Sequence, residues 1–424
     1  MGYKRLVYKP LRHKAPVKIQ LPLSKSVVNR LLILQWLSNE TLLPEQPHEA
    51  LDTTIFRNLI AQADSDLPEP ILNAGLAGTT SRFILAALAL KRRKCIVTGD
   101  ARLIERPITP LIASLNHLGA NLQDTAGRLP VRISGSTTLK GGEVLVDGSL
   151  SSQFITALLL IAPFIEEGLL VRWETRPVSY SYIQTTLLLL GSLGGRYEET
   201  IDSIHIYPGK LCFDGYKAPL DWSSVTGWYN LVACGLADTL FFPGLSMTGF
   251  QPDEAVVDLY KRLGIVTSFT DEGALIRVIE ENEAEPDDCF STSFSESLDC
   301  SSFPDLVPTL AVTLAIKGIR CRLFGLSTLR VKESDRIASL SNELIRVGVM
   351  TNEGSDYLAL QGGTIKSGSK LISFDTYNDH RMAIALTPFV LYFGEIEIEN
   401  PEVVNKSYPG WWSDLKEMGI DIES

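Results

Sequence analysis

Amphipathic helical patterns recur along the chain, and each one ends in the same way. Apolar residues spaced three and four positions apart are followed by a glycine and then by a strand-like run. The pattern predicts helices that end near five glycines, which are Gly119, Gly194, Gly264, Gly348 and Gly419. Glycine suits the position after a helix because it adopts the left-handed backbone conformation without steric strain.

These glycines lie 75, 70, 84 and 71 residues apart, so a period near 70 divides the 424 residues into about six units. The first unit is a degenerate copy around Thr53–Ala63. Helix, glycine and strand follow one another in many α/β proteins, but five copies at nearly regular spacing favour a true repeat. The periodicity is interrupted at Lys217–Ser224, which predicts a boundary with three units on either side. The acidic, serine-rich segment Glu281–Ser302 predicts an irregular insertion or an exposed loop.

Composition restricts the class of protein. With 45% hydrophobic and 21% charged residues, the chain has the composition of a globular protein with two or three domains. The six cysteines form no C-x-x-C pair, which indicates free thiols and no zinc site. A net charge of −11 argues against sequence-independent nucleic-acid binding. We expect a cytoplasmic protein, because no signal peptide is recognisable and the longest apolar stretch, Phe154–Ile165, is too short to span a bilayer.

Charged and hydroxyl side chains gather where predicted helices begin. The segment Leu21–Leu34 reads L-P-L-S-K-S-V-V-N-R-L-L-I-L and places Lys25, Ser26 and Arg30 around one such start. A capping serine, unpaired backbone N–H groups and a cation together form an anion site. A capped helix with a solvated lysine explains the same residues, so this segment alone leaves both interpretations open.

Two further segments combine small residues with arginines. Asn73–Phe83 (N-A-G-L-A-G-T-T-S-R-F) permits close approach of the backbone to a ligand, although a tight β–α turn is favoured on this segment alone. Thr98–Pro110 (T-G-D-A-R-L-I-E-R-P-I-T-P) places Arg102, Glu105 and Arg106 in a short loop before a helix. Two arginines there suit recognition of a carboxylate or phosphate, and a salt-bridged surface loop is the alternative.

Hydroxyl and amide groups crowd two other predicted helix starts. Asp147–Leu159 (D-G-S-L-S-S-Q-F-I-T-A-L-L) places Ser151, Ser152 and Gln153 before an apolar helix. These groups exceed what one helix cap requires, so we expect some of them to face a polar ligand. Val178–Ile183 (V-S-Y-S-Y-I) adds hydroxyls at the next entry, where a tyrosine more often packs than contacts a ligand.

Three motifs carry the charge of the C-terminal half. Leu329–Leu340 (L-R-V-K-E-S-D-R-I-A-S-L) crowds cations at a helix start, where the macrodipole disfavours them unless an anion binds. A solvated face is the usual alternative for such a run. Tyr377–Met382 (Y-N-D-H-R-M) contains His380, which alone among five histidines lies in a dense polar cluster. Asn405–Trp411 (N-K-S-Y-P-G-W) places Lys406 before the last predicted helix.

Familiar catalytic and nucleotide-binding motifs do not occur in the sequence. It contains no serine-hydrolase elbow, P-loop, dinucleotide fingerprint or H-E-x-x-H. What remains is a set of Lys, Arg, Ser and His residues at element starts in every repeat. Such a set predicts a deep polar site for two small anionic substrates between domains.

Together these segments resemble the 5-enolpyruvylshikimate-3-phosphate (EPSP) synthase family of carboxyvinyltransferases. S-K-S-x-x-N-R, D-G-S-x-S-S-Q-F, R-V-K-E-S-D-R and Y-N-D-H-R-M occur in the family's order, and the resemblance covers nearly the whole chain. It implies an α/β fold of two similar domains, each of three βαβαββ repeats, arranged as an inside-out α/β barrel. The implied domains are 22–221, and 1–21 together with 222–424, with the active site in the interdomain cleft.

The resemblance also implies a reaction. The enolpyruvyl group of phosphoenolpyruvate is transferred to the 5-hydroxyl of shikimate 3-phosphate, and phosphate leaves through a tetrahedral ketal in the shikimate pathway to chorismate and the aromatic amino acids. Asp305 is implied as the base for the 5-hydroxyl, with Glu333 or Lys25 exchanging the proton at C3 of the donor. His380 completes the catalytic set. Glyphosate is implied as an inhibitor at the phosphoenolpyruvate position.

Substrate contacts implied by the resemblance extend over the whole chain. For shikimate 3-phosphate they are Lys25, Ser26, Arg30, Ser151, Ser152, Ser179, Tyr182, Asp305 and Lys332. For phosphoenolpyruvate they are Lys25, Gly78, Arg106, Gln153, Arg336, Arg381 and Lys406. No metal or cofactor is implied, because these cations hold the anions together. We expect a monomer that binds neither nucleic acid nor a membrane.

The chain departs from the family pattern at a few positions and leaves three alternatives to weigh. Leu23 replaces a usual glycine, Leu76 and Thr328 replace usual asparagines, and the region Glu40–Leu72 is short.

UDP-N-acetylglucosamine enolpyruvyl transferase shares the fold and donor, but A-R-L-I-E-R-P-I lacks the cysteine that its catalytic loop generally carries. A non-catalytic paralogue would have lost charged residues that remain here. An RNA-cyclase-like relative would need a basic surface.

Overall fold

The computed structural model describes residues 2–10, 16–135, 137–149, 151–280, 296–365 and 371–423. Its strands are β1 (Tyr3–Tyr8), β2 (Val17–Lys18), β3 (Ile71–Asn73), β4 (Cys95–Thr98), β5 (Leu122–Thr125), β6 (Arg128–Ile133), β7 (Gly142–Leu145), β8 (Leu169–Arg172), β9 (Tyr197–Glu199), β10 (Ser203–Ile206), β11 (Thr239–Pro243), β12 (Ile265–Thr270), β13 (Gly273–Val278), β14 (Ser297–Asp299), β15 (Cys321–Phe324), β16 (Val349–Glu353), β17 (Tyr357–Gly363), β18 (Ile372–Phe374), β19 (Glu395–Glu399) and β20 (Ile420–Glu423).

The α-helices are α1 (Lys25–Leu37), α2 (Leu51–Ala63), α3 (Gly78–Leu90), α4 (Ala101–Ile104), α5 (Thr109–His117), α6 (Ser152–Ile161), α7 (Ser181–Ser192), α8 (Trp222–Ala233), α9 (Val256–Lys261), α10 (Val307–Ile316), α11 (Arg336–Arg346), α12 (His380–Leu386), α13 (Val390–Phe393) and α14 (Trp411–Glu417). Across the described ranges, no helix combines the length and the apolar character needed to cross a bilayer.

The chain divides into two compact units. The first unit comprises Ser24–Ala218 and Gly249–Gln251, and the second comprises Met1–Leu23, Pro219–Thr248 and Pro252–Ser424. The first unit is thus inserted into the sequence of the second, between β2 and α8.

A βαβαββ arrangement recurs in both units. In the described residues, every sheet has four strands, and its first two strands along the repeat are parallel while its last two are antiparallel to their neighbours. The strand orders are β3-β4-β6-β5 and β7-β8-β10-β9 in the first unit, and β2-β11-β13-β12, β14-β15-β17-β16 and β18-β19-β1-β20 in the second. The predicted repeat is therefore complete in five copies.

The first copy of the repeat consists of helices alone. Helices α1 and α2 pack against each other, and the described residues 38–50 between them form no strand. The reduced copy agrees with the degenerate sequence pattern around Thr53–Ala63.

The last sheet of the second unit is completed by the N-terminal strand. β1 lies between β19 and β20 and is antiparallel to both, with Leu6 opposite Ile396 and Ile422. Leu6 and Ile396 are fully buried, so this sheet is packed against the core of the second unit.

Three helices form the centre of each unit. In the first unit α1, α3 and α6 contact one another, and in the second α8, α10 and α12 do so. These helices are apolar on almost every side, as expected for buried helices, and the amphipathic helix α11 belongs to the outer layer. Several site residues, among them Lys25, Gly78 and His380, lie at the N-terminal ends of the buried helices.

The five glycines predicted to end helices do so. Gly119, Gly194, Gly264, Gly348 and Gly419 have φ of +101°, +85°, +83°, +96° and +81°, which lie in the left-handed region. The repeated glycine therefore reflects a repeated backbone requirement.

One prediction of irregular structure is wrong in part. Ser297–Asp299, within the segment Glu281–Ser302, forms β14 and pairs in parallel with β15. A three-residue strand is too short to show alternation, so the sequence pattern could not reveal it. Residues 281–295 lie outside the described residues.

Candidate active site

The sequence-predicted residues separate into two groups, one in each unit. The group in the first unit comprises Lys25, Ser26, Arg30, Gly78, Arg106, Ser151, Ser152, Gln153, Ser179 and Tyr182. The group in the second unit comprises Asp305, Lys332, Glu333, Arg336, His380, Arg381 and Lys406. The two groups differ in how their charges are balanced.

The start of α1 carries Lys25 and two serine hydroxyls. Lys25 is the first residue of α1, and its Nζ donates to Oδ2 of Asp52 over 2.9 Å. Ser24 precedes the helix, and its Oγ lies 3.2 Å from the Oγ of Ser26 instead of capping the backbone. The hydroxyls are thus available at a helix N-terminus, where unpaired N–H groups attract anions.

Arg30 is buried one turn further into α1 and is held by neutral groups. Its guanidinium donates to Oγ1 of Thr186 at 2.8 Å, to the carbonyl of Ser26 at 2.7 Å and to that of Tyr182 at 3.0 Å. It also lies over the ring of Phe83, 5.4 Å from its centroid. Within the described residues no carboxylate contacts Arg30. Burial therefore lowers the pKa of Arg30 to about 10.

Gly78, at the start of α3, is surrounded by polar side-chain ends. A Cβ built there would lie 2.5 Å from Oε1 of Gln153, 2.8 Å from Nη1 of Arg82 and 2.9 Å from Nη1 of Arg106. Two guanidinium groups and an amide thus converge on one point beside the backbone. Glycine leaves this point open, and any larger residue would fill it.

Arg82 is a buried cation that forms no ion pair with any described residue. Its guanidinium donates to Oγ of Ser81 and to the carbonyl of Pro107, and its Nε has no hydrogen-bond partner within the described residues. Burial, with a smaller contribution from the nearby Arg106, lowers the pKa of Arg82 well below its ordinary value. Two like charges with one of them unpaired favour binding of an anion.

The neighbouring residues Arg102 and Glu105 serve a different purpose. They form an exposed ion pair at 2.9 Å, and Arg102 lies in α4. The expected short loop is thus a one-turn helix, and only Arg106 of this segment reaches the group around Gly78. The salt-bridged alternative is correct for Arg102 and Glu105.

Hydroxyls of α6 and α7 complete the first group. Ser151 caps α6, because its Oγ accepts the backbone N–H of Gln153, and Ser152 is buried behind it. Oε1 of Gln153 has no hydrogen-bond partner among the described residues. Ser179, before α7, has φ of +51°, and Tyr182 lies in the first turn of that helix. The cap of α6 uses only Ser151, as expected from the excess of hydroxyls in this segment.

In the second unit, Arg336 is the centre of an ion-pair network. Its guanidinium contacts Asp379 at 2.7 Å, Asp305 at 2.8 Å and Glu333 at 3.0 Å. Burial opposes the charge of Arg336, but these three carboxylates together raise its pKa above the ordinary value. Arg336 therefore remains a cation and organises three carboxylates around itself.

Asp305 receives cations from three directions. Besides Arg336, it is approached by Nη2 of Arg381 at 3.1 Å and by Nζ of Lys332 at 3.6 Å. The Nη1 of Arg381 donates to the backbone carbonyl of Asp305 at 2.8 Å. A carboxylate held in this way has a fixed orientation. An incoming anion can compete with it for its cationic partners.

Glu333 links Lys406 to the same network. Nζ of Lys406 lies 2.6 Å from Oε1 of Glu333, whereas Oε2 accepts from Arg336. Lys406 precedes α14 by five residues and Glu333 precedes α11 by three, so two separate segments are joined by this contact. The resemblance assigned both residues, and the structure brings them together.

Asp253 is a further carboxylate of the network. Its Oδ2 accepts a hydrogen bond from Oγ of Ser223 and lies 3.6 Å from Nη2 of Arg381. Burial raises the pKa of Asp253 to about 6, Arg381 opposes this shift and Asp305 adds to it. Arg381 is thus held between two aspartates.

His380 opens α12 beside the network. Its Nδ1 lies 3.7 Å from Oδ1 of Asp379, and the ring is almost completely buried. Asp379 caps α12 by accepting the backbone N–H of Arg381 at 2.9 Å. His380 therefore lies in the predicted polar cluster, and its catalytic role stays a prediction.

The sequence profile of the family described as "EPSP synthase (3-phosphoshikimate 1-carboxyvinyltransferase)" matches residues 41–415. The chain belongs to the EPSP synthase family.

Relatives of known name agree with this membership. The 3-phosphoshikimate 1-carboxyvinyltransferase of Bacteroides fragilis is 32% identical over 408 residues, which are 96% of each chain. The enzyme of the same name from Syntrophobacter fumaroxidans is 32% identical over 424 aligned positions, 95% of this chain and 96% of the relative.

Solved structures show the fold. The EPSP synthase of Acinetobacter baumannii superposes with a TM-score of 0.73 over 100% of both chains at 20% identity. The enolpyruvyl transferase NikO of Streptomyces tendae gives 0.70 over 99% of this chain and 98% of its own, at 14% identity. The chain therefore has the enolpyruvyl transferase fold that the family resemblance implies.

Several residues of both groups were not recognised from the sequence of this EPSP synthase family member. Arg82 stood out only as a residue on the first turns of α3, and Asp379 only as part of Y-N-D-H-R-M. Asp52, Ser223 and Asp253 carried no motif. A buried carboxylate near a helix start offers little signal, because its partner lies far away in sequence.

One sequence argument about the second unit is wrong. The cations before α11 do not require an external anion to offset the helix dipole, because the protein supplies carboxylates. Asp335 caps α11 through the backbone N–H of Ala338, and Arg336 has three carboxylate partners. The crowding of cations is balanced within the unit.

The departure at Leu76 is not compensated by Asn73. The amide of Asn73 forms its own turn, with Oδ1 accepting from the N–H of Gly75 at 2.9 Å and Nδ2 donating to Asp100 at 3.3 Å. Asn73 is therefore used in the β3–α3 turn, and Leu76 is partly exposed. This member of the family lacks the usual amide at position 76.

Proposed function

We propose that the two groups of residues carry out the family's reaction, in which the enolpyruvyl group of phosphoenolpyruvate passes to the 5-hydroxyl of shikimate 3-phosphate and phosphate is released. The observation that carries the proposal is the convergence of Arg82, Arg106 and Gln153 on Gly78. Two cations and an amide beside an open backbone suit a small anion such as phosphoenolpyruvate.

The first unit supplies groups that bind anions. Lys25, Ser26 and Arg30 at α1, with Ser151, Ser152, Ser179 and Tyr182, are the proposed contacts of shikimate 3-phosphate. Among the described residues Arg30 has only neutral partners, so a bound phosphate would be its first anionic partner. Charge-assisted hydrogen bonds to phosphate are stronger than the neutral bonds they would replace.

The second unit supplies carboxylates for proton transfer. Asp305 is proposed to accept the proton of the attacking 5-hydroxyl, and Glu333 to exchange the proton at C3 of phosphoenolpyruvate, with Lys25 as the alternative for that step. Arg336, Arg381 and Lys406 are the proposed partners of the donor. Each is paired with a carboxylate here, so binding of phosphoenolpyruvate would exchange an internal anion for a substrate anion.

A phosphate-release assay tests the reaction. Phosphoenolpyruvate should release phosphate only when shikimate 3-phosphate is also present, because the acceptor hydroxyl attacks before phosphate leaves. UDP-N-acetylglucosamine in place of shikimate 3-phosphate should release none, and it serves as the control for the related transferase. Equal release with and without shikimate 3-phosphate would reject the proposal.

Residues of both units are proposed to serve one pair of substrates. Arg106→Met in the first unit and Lys406→Met in the second should both raise the KM for phosphoenolpyruvate, because each removes a cation from the same proposed ligand. The KM for shikimate 3-phosphate should change less in both variants. A variant that leaves the KM for phosphoenolpyruvate unchanged would remove its residue from the donor site.

The working form is proposed to be a cytoplasmic monomer. The net charge of −11 gives no reason to expect a nucleic-acid partner. Sedimentation equilibrium at several concentrations would test the monomer, since a dimer would double the mass.

A further inference from the structure

The backbone at Ser179 has an unusual conformation. Its φ of +51° lies in the left-handed region, which residues other than glycine seldom adopt. Such a conformation persists only where the surrounding structure holds it, and it is common where a side chain must face a ligand. The question is what holds Ser179.

On one side, the chain is fixed by backbone hydrogen bonds. The N–H of Val178 donates to the carbonyl of Gly148 at 3.1 Å, and the N–H of Tyr182 donates to the carbonyl of Ser179 at 3.1 Å. The hydroxyl of Ser179 takes no part in these contacts. The carbonyl of Tyr180 also accepts from the N–H of Ile183 at 2.9 Å and from that of Gln184 at 3.1 Å, so the backbone is fixed at the entry to α7 and the side chain of Tyr180 provides a second attachment.

On the other side, the side chain of Tyr180 is fixed on a strand. Its hydroxyl donates to Oε1 of Glu199 at 2.7 Å, and Nε2 of Gln184 donates to the same oxygen at 2.7 Å. Glu199 belongs to β9, which pairs with β10 through Ile204. The residue that follows Ser179 is thereby tied to a sheet.

Two further groups enclose the ring of Tyr180. The guanidinium of Arg176 lies over it, 5.0 Å from the centroid, and the ring of Trp173 meets it edge-on at 5.9 Å. Burial, reinforced by Glu199, raises the pKa of Tyr180 well above its ordinary value. The hydroxyl is therefore neutral, and a donor, around neutral pH.

We propose that Tyr180 is a positioning residue, which holds Ser179 in the left-handed conformation in which the Ser179 hydroxyl binds the acceptor substrate. The inference rests on the proposed function, in which Ser179 contacts shikimate 3-phosphate. Tyr180 contributes through its hydroxyl bond to Glu199 and through its ring contacts with Arg176 and Trp173, and it touches no substrate itself.

Tyr180→Phe tests the proposal, because it removes one hydroxyl and keeps the ring. The KM for shikimate 3-phosphate should rise about 3–10-fold, the effect of one hydrogen bond. The turnover number and the KM for phosphoenolpyruvate should stay within about twofold of the native values. A loss of folded protein would instead lower the apparent turnover and leave both KM values unchanged.

Tyr207→Phe is the matched control. Tyr207 lies directly after β10, beside the same sheet; its ring lies 5.5 Å from the guanidinium of Arg196, and Glu198 raises the pKa of its hydroxyl. It resembles Tyr180 in chemistry but adjoins no proposed site residue. Its loss should leave all three kinetic constants unchanged, and an equal rise in both variants would overturn the proposal.

Glu199 provides a second test that does not alter Tyr180. Glu199→Ala removes the acceptor and should raise the KM for shikimate 3-phosphate as Tyr180→Phe does. Glu199→Gln keeps an oxygen that can accept from the tyrosine, so it should restore a KM close to the native value. Equal KM values for Glu199→Ala and the native protein would overturn the proposal.

Ser179→Ala separates the two ways of failing. It should raise the KM for shikimate 3-phosphate, and adding Tyr180→Phe should then change it by less than about twofold, because Tyr180 acts through Ser179. If Ser179→Ala has no effect, the assignment of Ser179 fails and the role of Tyr180 fails with it. If Ser179→Ala acts and Tyr180→Phe does not, the site stands and only the role of Tyr180 is rejected. Additive effects in the double variant would also reject that role.

Discussion

The two groups of charged residues differ in the partners that stabilise their arginines. In the first unit, Arg30 and Arg82 are buried and donate only to hydroxyls and carbonyls within the described residues. In the second unit, Arg336 is equally well buried and Arg381 is partly buried, and both contact carboxylates. Burial lowers the pKa of the first pair, whereas carboxylates raise the pKa of Arg336.

This difference shows what each group is prepared for. A buried cation without an anionic partner destabilises the fold. Binding of an anion would remove this cost and so stabilise the first unit. A paired cation is satisfied without a ligand, so the second unit holds its carboxylates in place and must rearrange its pairs when an anion binds. The buried arginines of the two units are thus in different electrostatic states.

Asp305→Asn gives the largest expected effect, because it removes the proposed base and keeps its volume. Turnover should fall about 10²–10⁴-fold, the usual contribution of a positioned acid or base. Calorimetric binding of shikimate 3-phosphate should weaken far less, since Arg336 keeps Asp379 and Glu333. Near-native turnover would show that the assignment of Asp305 as the base is wrong.

The same substitution at two arginines tests the comparison directly. Arg336→Met leaves the buried Asp379 without its main cation, so the free energy of unfolding in urea should fall by about 3–5 kcal/mol. Arg82→Met removes an unpaired cation beside Arg106 and should change the free energy of unfolding by less than about 1 kcal/mol.

Inorganic phosphate sharpens this test. A ligand that binds only the folded state raises its stability, so phosphate should stabilise the native protein more than Arg82→Met. Equal losses of stability in the two arginine variants would erase the contrast between the units.

Asp253 gives the network a pH dependence. Its folded pKa of about 6 exceeds the ordinary value near 3.9, so between these pH values the folded protein binds more protons than the unfolded chain. The contribution of Asp253 to stability therefore falls as pH rises from about 4 to about 6 and is constant above that.

Asp253→Asn removes this titration. The difference in unfolding free energy, variant minus native, should rise by on the order of 1–3 kcal/mol between pH 4 and pH 7. Taking the difference cancels the other carboxylates, which titrate in both proteins. A difference that stays constant with pH would show that folding does not raise the pKa of Asp253.

Gly78→Ala gives the smallest expected effect and tests the first unit's open point. The new methyl would press on Gln153, Arg82 and Arg106, whose flexible ends must then move. Glyphosate is longer than phosphoenolpyruvate, so its inhibition constant should rise about tenfold or more, and the KM for phosphoenolpyruvate should rise by less. Unchanged inhibition would place the inhibitor away from Gly78.

Local patterns in the sequence predicted much of this architecture. The glycine-ended helices, such as those before Gly264 and Gly348, repeat because each needs a left-handed residue, and such a requirement is visible in one sequence. The motifs around Lys25 and Arg336 were visible because each helix start gathers its own polar residues. The reaction came from the resemblance of those motifs to a family.

What the sequence did not reveal depends on distant partners. Arg336 and Asp379 are 43 residues apart, and Arg381 and Asp305 are 76 apart, so no window of sequence shows that they pair. Arg82 did not stand out, because its lack of a carboxylate partner among the described residues is a property of the folded unit. Asp253 gave no signal for the same reason.

The position of β1 sets an order of events during synthesis. Arg5 of β1 pairs with Glu395, 390 residues later in the chain. At about 5–20 residues per second, the ribosome makes the intervening chain in roughly 20–80 s, and domains generally fold as they emerge. The residues from Ser24 to Ala218 can fold during that interval, whereas β1 must wait with its hydrogen-bonding edges unpaired until β19 and β20 are made. A nascent chain halted before β19 should therefore expose a strand that a chaperone can bind.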